Sequence, residues 1–541
     1  MDSLPRTDFL VGYVLLPASY VKEHASVTSF LFFLIGSLSL YKLFHVNRKP
    51  LPPGPTPIPI IGNIQEMIKK EPLQCFKDWH QQYGPLVTLR YGNRLIISVS
   101  SFDIARELFE KRGAIYSSRP RFIVASERMS GSMNLALLPN NKRWQDHRRA
   151  IARLLDPAMT RRYTLIQDLE STQVLHELLS ENGVHFHKVI ARFAASLMLT
   201  MAYGIYIGDN DSPVPDELER LNSYPFKAIG DIYCVLVELF PFLDYAPHWI
   251  APWKKLASSA NREISDLFMA NLESAKAAPY WNWVKDVRQS ESAKDMPDEE
   301  IAGMIGAIQQ TAVEALSIVT RLTIKALVLN PECVARAQEE LDRVVGADRI
   351  PSASDLPNLP YINAIVHEAM RWQPPSPIAL PHVNTEDDEY MGYRIPKGTS
   401  LIPNLWVMGC NFPDPEQYRP ERWLTDDRTT LNNLDHSPFG FGRRLCPGRH
   451  VAFSSIATVV AQILWAYELS HRYRDGKRVE IDAWDLILTA VVNSAPYEAS
   501  FRVRSEKHQE VIEQEWGLGY EKRDQVLSEL NPPPKGMTGD I

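Results

Sequence analysis

The residues whose types and spacing best suit chemistry surround Cys446. The segment Phe439–Gly448 reads F-G-F-G-R-R-L-C-P-G and stands directly before an apolar stretch of helical period, Val451–Trp465. A helix N-terminus places backbone amides and the positive end of the helix dipole beside the sulfur, which favours the thiolate. A lone thiolate without a neighbouring Cys or His is a poor start for a zinc or iron–sulfur site, but it can supply one axial ligand to haem iron.

The residues around this cysteine suit a flat, anionic ligand. Gly442 and Gly448 let the backbone fold tightly around the sulfur and approach such a ligand closely. Amide donors near the sulfur tune its electron donation to a metal. Arg444 can reach an anionic group of the ligand.

The same segment resembles the haem-binding signature of cytochrome P-450 enzymes, F-x-x-G-x-R-x-C-x-G, at every fixed position. This resemblance implies a mostly helical fold with small β-sheets, in which Cys446 is the axial ligand of haem b. Phe439, Gly442, Arg444 and Gly448 would then contact the haem. An inert buried cysteine in a glycine-rich turn would explain Cys446 alone, but it does not explain the rest of the pattern.

Further motifs of the family occur in the expected order along the chain. Glu368-Ala-Met-Arg371 resembles the E-x-x-R motif, and Arg422 lies in a segment that resembles P-E-R-[FW]. Residues three apart share one side of a helix, so this carboxylate and guanidinium can pair. The resemblance implies that Glu368, Arg371 and Arg422 form a buried polar cluster that braces the haem pocket.

Two segments resemble those that hold the haem propionates in the family. The first contains Trp144 and Arg148 in the pattern W-x-x-x-R, and the second is Leu380-Pro-His382. The resemblance implies propionate contacts for Trp144, Arg148 and His382. It extends from about residue 50 to residue 505, and membrane-anchored members of fungal secondary metabolism are the most similar in appearance.

The long helix departs from the family element A-G-x-[DE]-T-[TS]. Counting back from the proline stop after Asn330 assigns Glu314 to the acid and Ala315 to the threonine. A second register instead places Thr311 at the threonine position. In the first register, which keeps the acid, Ala315 has no hydroxyl for proton relay, and Thr311 one turn earlier is the candidate substitute.

The segments that must position these residues mostly show apolar residues at the spacing of a helix. The strongest pattern spans Asp298–Asn330, with Pro297 before it, acidic residues in its first turn and Pro331 after it. Shorter apolar patterns predict further helices over Arg143–Leu155, Val189–Ala202 and Ile264–Ala275.

The β structure predicted from the sequence is small. Val87–Leu89 and Leu95–Val99 flank a turn at Gly92 and predict a hairpin. Tyr390–Pro396 and Leu486–Val492 are typical of short strands. We therefore expect one large, mostly α haem domain over residues 60–504, followed by a polar C-terminal appendage over 505–541.

The amino-terminal region, residues 1–49, contains a predicted membrane anchor. Val27–Phe44 has 18 mostly apolar residues, a helix of about 27 Å against a hydrocarbon core of about 30 Å. Positive residues follow directly, which predicts a catalytic domain on the cytosolic side of the endoplasmic reticulum membrane. A buried amphipathic helix and a cleaved signal peptide are the alternatives. Whether Phe9–Leu16 also inserts stays open. Residues 50–59 predict a stiff proline-rich hinge.

Composition limits the possible functions. The chain has 541 residues, 45% of them hydrophobic and 23% charged, which excludes a mostly disordered protein. The net charge of -7 argues against nucleic acid as the main partner. Five scattered cysteines do not form a disulfide scaffold or a zinc pattern.

Three functions are consistent with these observations. The first is a haem-dependent monooxygenase that oxidises a hydrophobic small molecule, with electrons from NADPH delivered by a separate cytochrome P-450 reductase, since the chain has no dinucleotide-binding motif after a strand. The second is oxidative coupling, ring closure or desaturation without oxygen insertion, which the altered helix would permit. The third is a haem-binding carrier or sensor without activity.

Overall fold

The structure is a computed structural model that describes Gly36 and residues 49–181, 183–208, 211–424, 437–488 and 491–530. The predicted anchor Val27–Phe44 therefore lies outside the described residues, apart from Gly36. Within the described ranges, no helix is both long enough and apolar enough to cross a membrane.

Helices dominate the described chain. Their bounds are α1 Ile64–Lys69, α2 Pro72–Tyr83, α3 Phe102–Ala105, α4 Gly113–Tyr116, α5 Lys142–Ala152, α6 Pro157–Arg162, α7 Thr164–Glu181, α8 Phe186–Tyr203, α9 Val214–Gly230, α10 Ile232–Leu239, α11 Pro252–Ala277, α12 Trp283–Arg288, α13 Asp298–Leu329, α14 Pro331–Val344, α15 Pro360–Trp372, α16 Leu405–Cys410, α17 Arg449–Ala466 and α18 Glu506–Glu529. Two π-helical segments, Arg106–Lys111 and Ile123–Met129, stand among them.

Helix α13 confirms the strongest prediction from the sequence. It begins at Asp298 after Pro297 and ends at Leu329 before Pro331. Its side chains are buried on most sides because α8, α11 and α17 pack around it. An apolar helix of this length gains from burial all round, which places it in the centre of the core.

The sheets are small, and the largest has four strands in the order β1-β2-β6-β3. Strand β2 pairs antiparallel with β1 and parallel with β6, and β3 pairs antiparallel with β6. The strand bounds are β1 Leu86–Tyr91, β2 Arg94–Val99, β3 His382–Val383, β4 Asp388–Tyr390, β5 Tyr393–Ile395, β6 Ser400–Pro403, β7 Tyr467–His471, β8 Tyr473–Arg474, β9 Lys477–Arg478, β10 Leu486–Leu488, β11 Val492–Ser494 and β12 Ala499–Val503. The first two strands confirm the predicted hairpin.

Two strand predictions are wrong in their bounds. Tyr390–Pro396 is not one strand, because β4 and β5 pair antiparallel across a turn at Met391 and Gly392. Both turn residues have positive φ angles, +52° and +81°. Likewise, the range Leu486–Val492, which was predicted as one strand, contains β10 and the first residue of β11, and these two strands pair antiparallel. Apolar alternation alone did not show where the chain reverses.

The chain divides into two units. The small unit contains residues 49–51 among those described, with Asp388–Ile395, and the large unit contains Pro52–Asp387 and the chain from Pro396 onward. In the small unit the amide of Arg394 donates to the carbonyl of Pro50 at 2.9 Å.

Within the large unit, part of the proline-rich segment packs against strand β1. The amide of Thr88 donates to the carbonyl of Pro53 (2.8 Å), and a Cβ on Gly54 would lie 2.0 Å from the carbonyl oxygen of Thr88. This close approach requires glycine at position 54. From Pro53 onward, the segment is therefore fixed against β1.

The polar segment after residue 504 forms helix α18, which packs on α7. Val511, Ile512 and Leu527 are buried. The ring of Trp516 stacks on that of His176, with centroids 5.3 Å apart. Most of this appendage is thus a helix with one apolar side against the body of the protein.

Gly306 lies at the tightest contact of helix α13, and we expect Gly306→Ala to destabilise the protein. A Cβ there would lie 2.4 Å from the ring of Phe268, and overpacking of this kind costs about 1–3 kcal/mol. The matched control is Gly517→Ala in α18, where a Cβ would meet nothing within 4 Å. Thermal unfolding of both variants is the measurement. Equal midpoints for the two variants would contradict the packing described here.

Candidate active site

The loop that carries Cys446 is closed by its own backbone. The amide of Cys446 donates to the carbonyl of Phe439 (2.8 Å), and helix α17 begins at Arg449. Gly442 has a φ of +54°, and a Cβ there would lie 2.1 Å from the carbonyl oxygen of Phe109. Only glycine fits both conditions, so Gly442 fixes the path of the chain toward the sulfur.

Opposing effects set the pKa of the Cys446 thiol, which is half-buried. Burial raises this pKa, whereas the backbone amide of Gly448 and the charges of Arg148 and Arg449 lower it. Burial is the larger effect, so the protein groups alone do not favour the thiolate expected from the sequence. A metal cation bound to the sulfur ionises such a thiol outright.

Two arginines and a tryptophan predicted for the site lie next to this loop. Nη2 of Arg148 donates to the carbonyl of Leu445 (2.9 Å). Nε of Arg444 donates to the carbonyl of Ser117 (2.6 Å), and its guanidinium carbon lies 4.1 Å from the ring centroid of Trp144. The structure therefore brings these three predicted residues to the loop of Cys446.

His382 lies beside an arginine that the sequence analysis missed. Nδ1 of His382 is 2.8 Å from the carbonyl oxygen of Tyr116. Nη1 of Arg119 donates to the carbonyls of Leu380 (2.7 Å) and Pro381 (2.8 Å). An arginine before a proline in a loop is indistinguishable from surface charge in the sequence, so only the fold identifies Arg119.

Among the residues that the structure describes, no acidic side chain acts on Arg119, Arg444 or His382. Burial, with the charges of Arg119 and Arg148, lowers the pKa of Arg444 to about 8. Burial lowers the pKa of Arg119 to about 9. Burial, with the charges of Arg119 and Arg444, holds the pKa of His382 well below its usual value.

An anionic group would complete this cluster. Nη2 of Arg444 is buried and, among the described residues, has no hydrogen-bond partner. Buried guanidinium groups are costly unless they are paired, and carboxylates are their preferred partners. The cluster therefore suits a ligand that carries carboxylates close to the sulfur of Cys446.

Glu368, Arg371 and Arg422 form a second cluster, which is fully internal. Nε and Nη2 of Arg371 donate to the two carboxylate oxygens of Glu368, both at 2.8 Å. Nε of Arg422 donates to Glu368 at 2.9 Å, as does the indole of Trp423. Glu368 is 0% exposed. The structure thus brings together the three residues predicted to brace the site.

One side of helix α13 is partly exposed although the helix lies in the core. The residues on it follow helical spacing and are Ile308, Thr311, Ala312 and Ala315. The hydroxyl of Thr311 donates to the carbonyl of Ala307 (2.8 Å). This side therefore opens onto space that the protein does not fill.

Glu314 lies one turn from Thr311 and is half-buried. Burial and the charge of Glu219 raise the pKa of Glu314 to about 8. Its carboxyl group is therefore mostly neutral at pH 7 and can donate a proton. Helix α13 contains both registers considered for the oxygen-activating element, so the roles of Glu314 and Thr311 stay predictions.

Comparison with known proteins gives consistent results over most of the chain. The sequence model of the family "Cytochrome P450" matches residues 52–498. The chain is 37% identical to cytochrome P450 monooxygenase aneD of Aspergillus aculeatus over 91% of its own length and 96% of that protein. It is 36% identical to cytochrome P450 monooxygenase FrzL of Cladobotryum over 94% and 99% of the two chains.

The chain belongs to the cytochrome P450 family. A solved zebrafish cytochrome P450 with abiraterone has the same fold, with a TM-score of 0.66 at 23% identity, over 80% of this chain and 100% of the other. Family membership makes this protein a haem-dependent monooxygenase, and it implies a cysteine thiolate as the ligand of the haem iron.

The residues of this cytochrome P450 fit haem. Cys446 would hold the iron through its sulfur, which the closed loop at Gly442 fixes in place and which a bound metal cation would ionise. Arg119, Arg444 and His382 would hold the carboxylates, since they lack a counter-charge and Nη2 of Arg444 has no partner in the described chain. When bound, haem supplies the redox chemistry that activates dioxygen.

The buried carboxylate of Glu368 gives a sharp stability test. Glu368→Gln leaves two buried guanidinium groups without their anion, which costs about 3–5 kcal/mol. We expect a lower thermal midpoint and less haem retained after purification. The matched control is Glu480→Gln, which removes an exposed partner of Arg478 and should not move the midpoint. If Glu368→Gln is as stable as the control, Glu368 does not brace this site.

Proposed function

We propose that this cytochrome P450 inserts an oxygen atom into a hydrophobic small molecule of secondary metabolism, with electrons from NADPH delivered by a separate reductase. The observation that carries the proposal is the Cys446 loop beside a buried, uncompensated cationic cluster. The similar proteins aneD and FrzL are named as monooxygenases and share most of their length with this chain.

Apolar side chains between Met129 and Leu135 support a hydrophobic substrate. Met129 is 0% exposed in the π-helical segment Ile123–Met129. Met133 packs against helix α13, where a Cβ on Gly303 would lie 2.7 Å from its Cγ. Leu135 is buried, and its carbonyl lies 3.5 Å from Nη1 of Arg444. Met133 thus contacts helix α13 and Leu135 lies next to Arg444, so apolar side chains lie near the residues proposed to bind haem.

Two further segments with apolar side chains, around Ile378 and Val492, also support a hydrophobic substrate. The amide of Val492 donates to the carbonyl of Pro375 at 2.8 Å. Val492 is 2% exposed, and Ile378 is half-buried. Apolar side chains from separate segments are typical of a pocket for a hydrophobic ligand.

Proton supply would come from the partly exposed side of helix α13. The neutral carboxyl group of Glu314 would hold a proton at pH 7, and the hydroxyl of Thr311 would receive it directly or through water. In the register that assigns Glu314 to the acid, Ala315 takes the position of the family's threonine, so Thr311 would replace the missing hydroxyl.

Exposed apolar side chains support attachment to a membrane, which we propose to be that of the endoplasmic reticulum. Ile60, Tyr245 and Trp249 are 79%, 91% and 84% exposed. Gly92 lies between Ile60 and Leu239, because a Cβ on it would be 3.6 Å from Leu239 and 3.9 Å from the carbonyl oxygen of Ile60. The segment of Ile60 and the segment that leads from Leu239 to Tyr245 and Trp249 therefore approach each other at Gly92. Large exposed apolar groups mark contact surfaces. The predicted anchor Val27–Phe44 would attach the chain to this membrane.

The reductase would dock where electrons have a short path to Cys446. Arg443 is exposed near the loop, and Nη1 of Arg449 lies 3.4 Å from the carbonyl oxygen of Cys446. Exposed positive charge steers an acidic partner to such a surface.

Replacing Cys446 tests the assignment of the ligand. The reduced, carbon-monoxide-treated enzyme should show the strongly red-shifted Soret absorbance of thiolate ligation, and Cys446→Ser should abolish it together with turnover. The matched control is Cys410→Ser, at another free cysteine, which should keep both. A red-shifted band that survives Cys446→Ser would overturn the assignment.

Isotopic oxygen distinguishes insertion from coupling or desaturation. The full chain, reconstituted with a reductase and NADPH under ¹⁸O₂ and supplied with metabolite extract, should yield a product that carries the heavy isotope, because Glu314 and Thr311 can still supply protons. Mass spectrometry of the product is the measurement. A product without label, formed with consumption of NADPH, would favour oxidation without oxygen insertion.

A further inference from the structure

Helices α9 and α13 meet at a buried hydrogen bond. Nδ2 of Asn222, which is 4% exposed, donates to the carbonyl of Gln310 at 3.1 Å. A backbone carbonyl in the middle of a helix is a fixed point, so this bond sets the register of one helix on the other.

Helical spacing then brings two carboxyl groups to the same contact. Glu219 precedes Asn222 by three residues, and Glu314 follows Gln310 by four. Residues at these spacings share a helix side. In agreement with this register, the charge of Glu219 acts on Glu314 and also on Arg321, two turns further along α13.

The two carboxyl groups differ in their surroundings. Glu219 is exposed, whereas Glu314 is half-buried in the side of the core helix. Burial, together with the smaller effect of the like charge of Glu219, raises the pKa of Glu314 to about 8. A like charge disfavours the ionised form of its neighbour.

Other charged groups on this helix side lie toward its C-terminal end. Nη2 of Arg321 donates to the carbonyl of His187 on helix α8 (2.9 Å), and the hydroxyl of Tyr497 donates to the carbonyl of Arg321 (2.6 Å). Glu219 is the group whose charge acts on Glu314 among the described residues.

We propose that Glu219 is a positioning residue for proton delivery, which keeps the carboxyl group of Glu314 neutral one turn from Thr311. The inference rests on the proposed function, since it takes Glu314 as the proton donor. The hydroxyl of Thr311 already donates to Ala307, so its oxygen is free to accept. The O–H bond of Glu314 breaks as its proton passes to a water molecule that is hydrogen-bonded to the oxygen of Thr311, and that water releases one of its own protons toward the reacting oxygen of the site. Solvent then returns a proton to the carboxylate of Glu314 past the exposed Glu219.

Infrared pH titration of the full-length, haem-loaded enzyme tests this role without depending on turnover. The carbonyl band of a protonated carboxyl group should be assigned to Glu314 by its loss in Glu314→Gln. The neutral form is present below the midpoint and is lost as the pH rises through about 8. Glu219→Gln should lower this midpoint by roughly half a pH unit or more, because a like charge has been removed.

Two variants serve as controls. Glu219→Asp keeps the charge and should keep the midpoint of the wild type. Glu217→Gln removes an equal charge from an exposed position of the same helix and should also leave the midpoint unchanged. Glu217 and Glu219 are both exposed on α9, so these substitutions should not unfold the protein and a shift of the midpoint would have another cause. Circular dichroism of each variant checks that it is folded.

The outcomes separate this inference from the proposed function. A lower midpoint in Glu219→Gln alone supports the inference. An unchanged midpoint in Glu219→Gln, or a Glu314 that is already ionised at pH 7 in the wild type, overturns it while the thiolate absorbance stays intact. Absence of the thiolate absorbance in the wild type would instead refute the proposed function.

Discussion

The site depends on buried positive charge that no acidic side chain in the described part of the chain balances. Arg119, Arg148 and Arg444 lie together beside the loop of Cys446, and the charges that act on Arg444 come from the other two arginines. A protein does not gain stability from such a group of cations by itself. The arrangement is favourable only when an anion with carboxylates enters, so cofactor binding and the stability of this region are linked.

The charge state of the Cys446 sulfur also depends on its surroundings. Burial raises the pKa of Cys446 even though a helix N-terminus and two arginines act against it. The loop is nevertheless held rigidly, because Gly442 allows a backbone approach that any Cβ would block. The protein thus fixes the position of the sulfur, and a metal cation bound there would complete its ionisation.

The surrounding fold keeps this arrangement in place. Glu368 accepts hydrogen bonds from two arginines, a tryptophan and the amide of Arg419, so its charge is fully neutralised inside the protein. Helix α13 passes through the core and leaves one narrow side open near Thr311. A rigid core around a small open side is well suited to hold a substrate while excluding bulk water.

The sequence alone determined the ligand loop, the pair Glu368 and Arg371 on one helix, and the bounds of α13, because each depends on neighbours within a few turns of chain. It did not determine the two chain reversals at β4–β5 and β10–β11, where the apolar pattern continues through the turn. The role of Arg119 and the position of Glu219 near Glu314 were decided only by the tertiary structure. Their roles depend on which distant segments approach them, and burial, which sets the charge state of such groups, does not exist until the chain has folded.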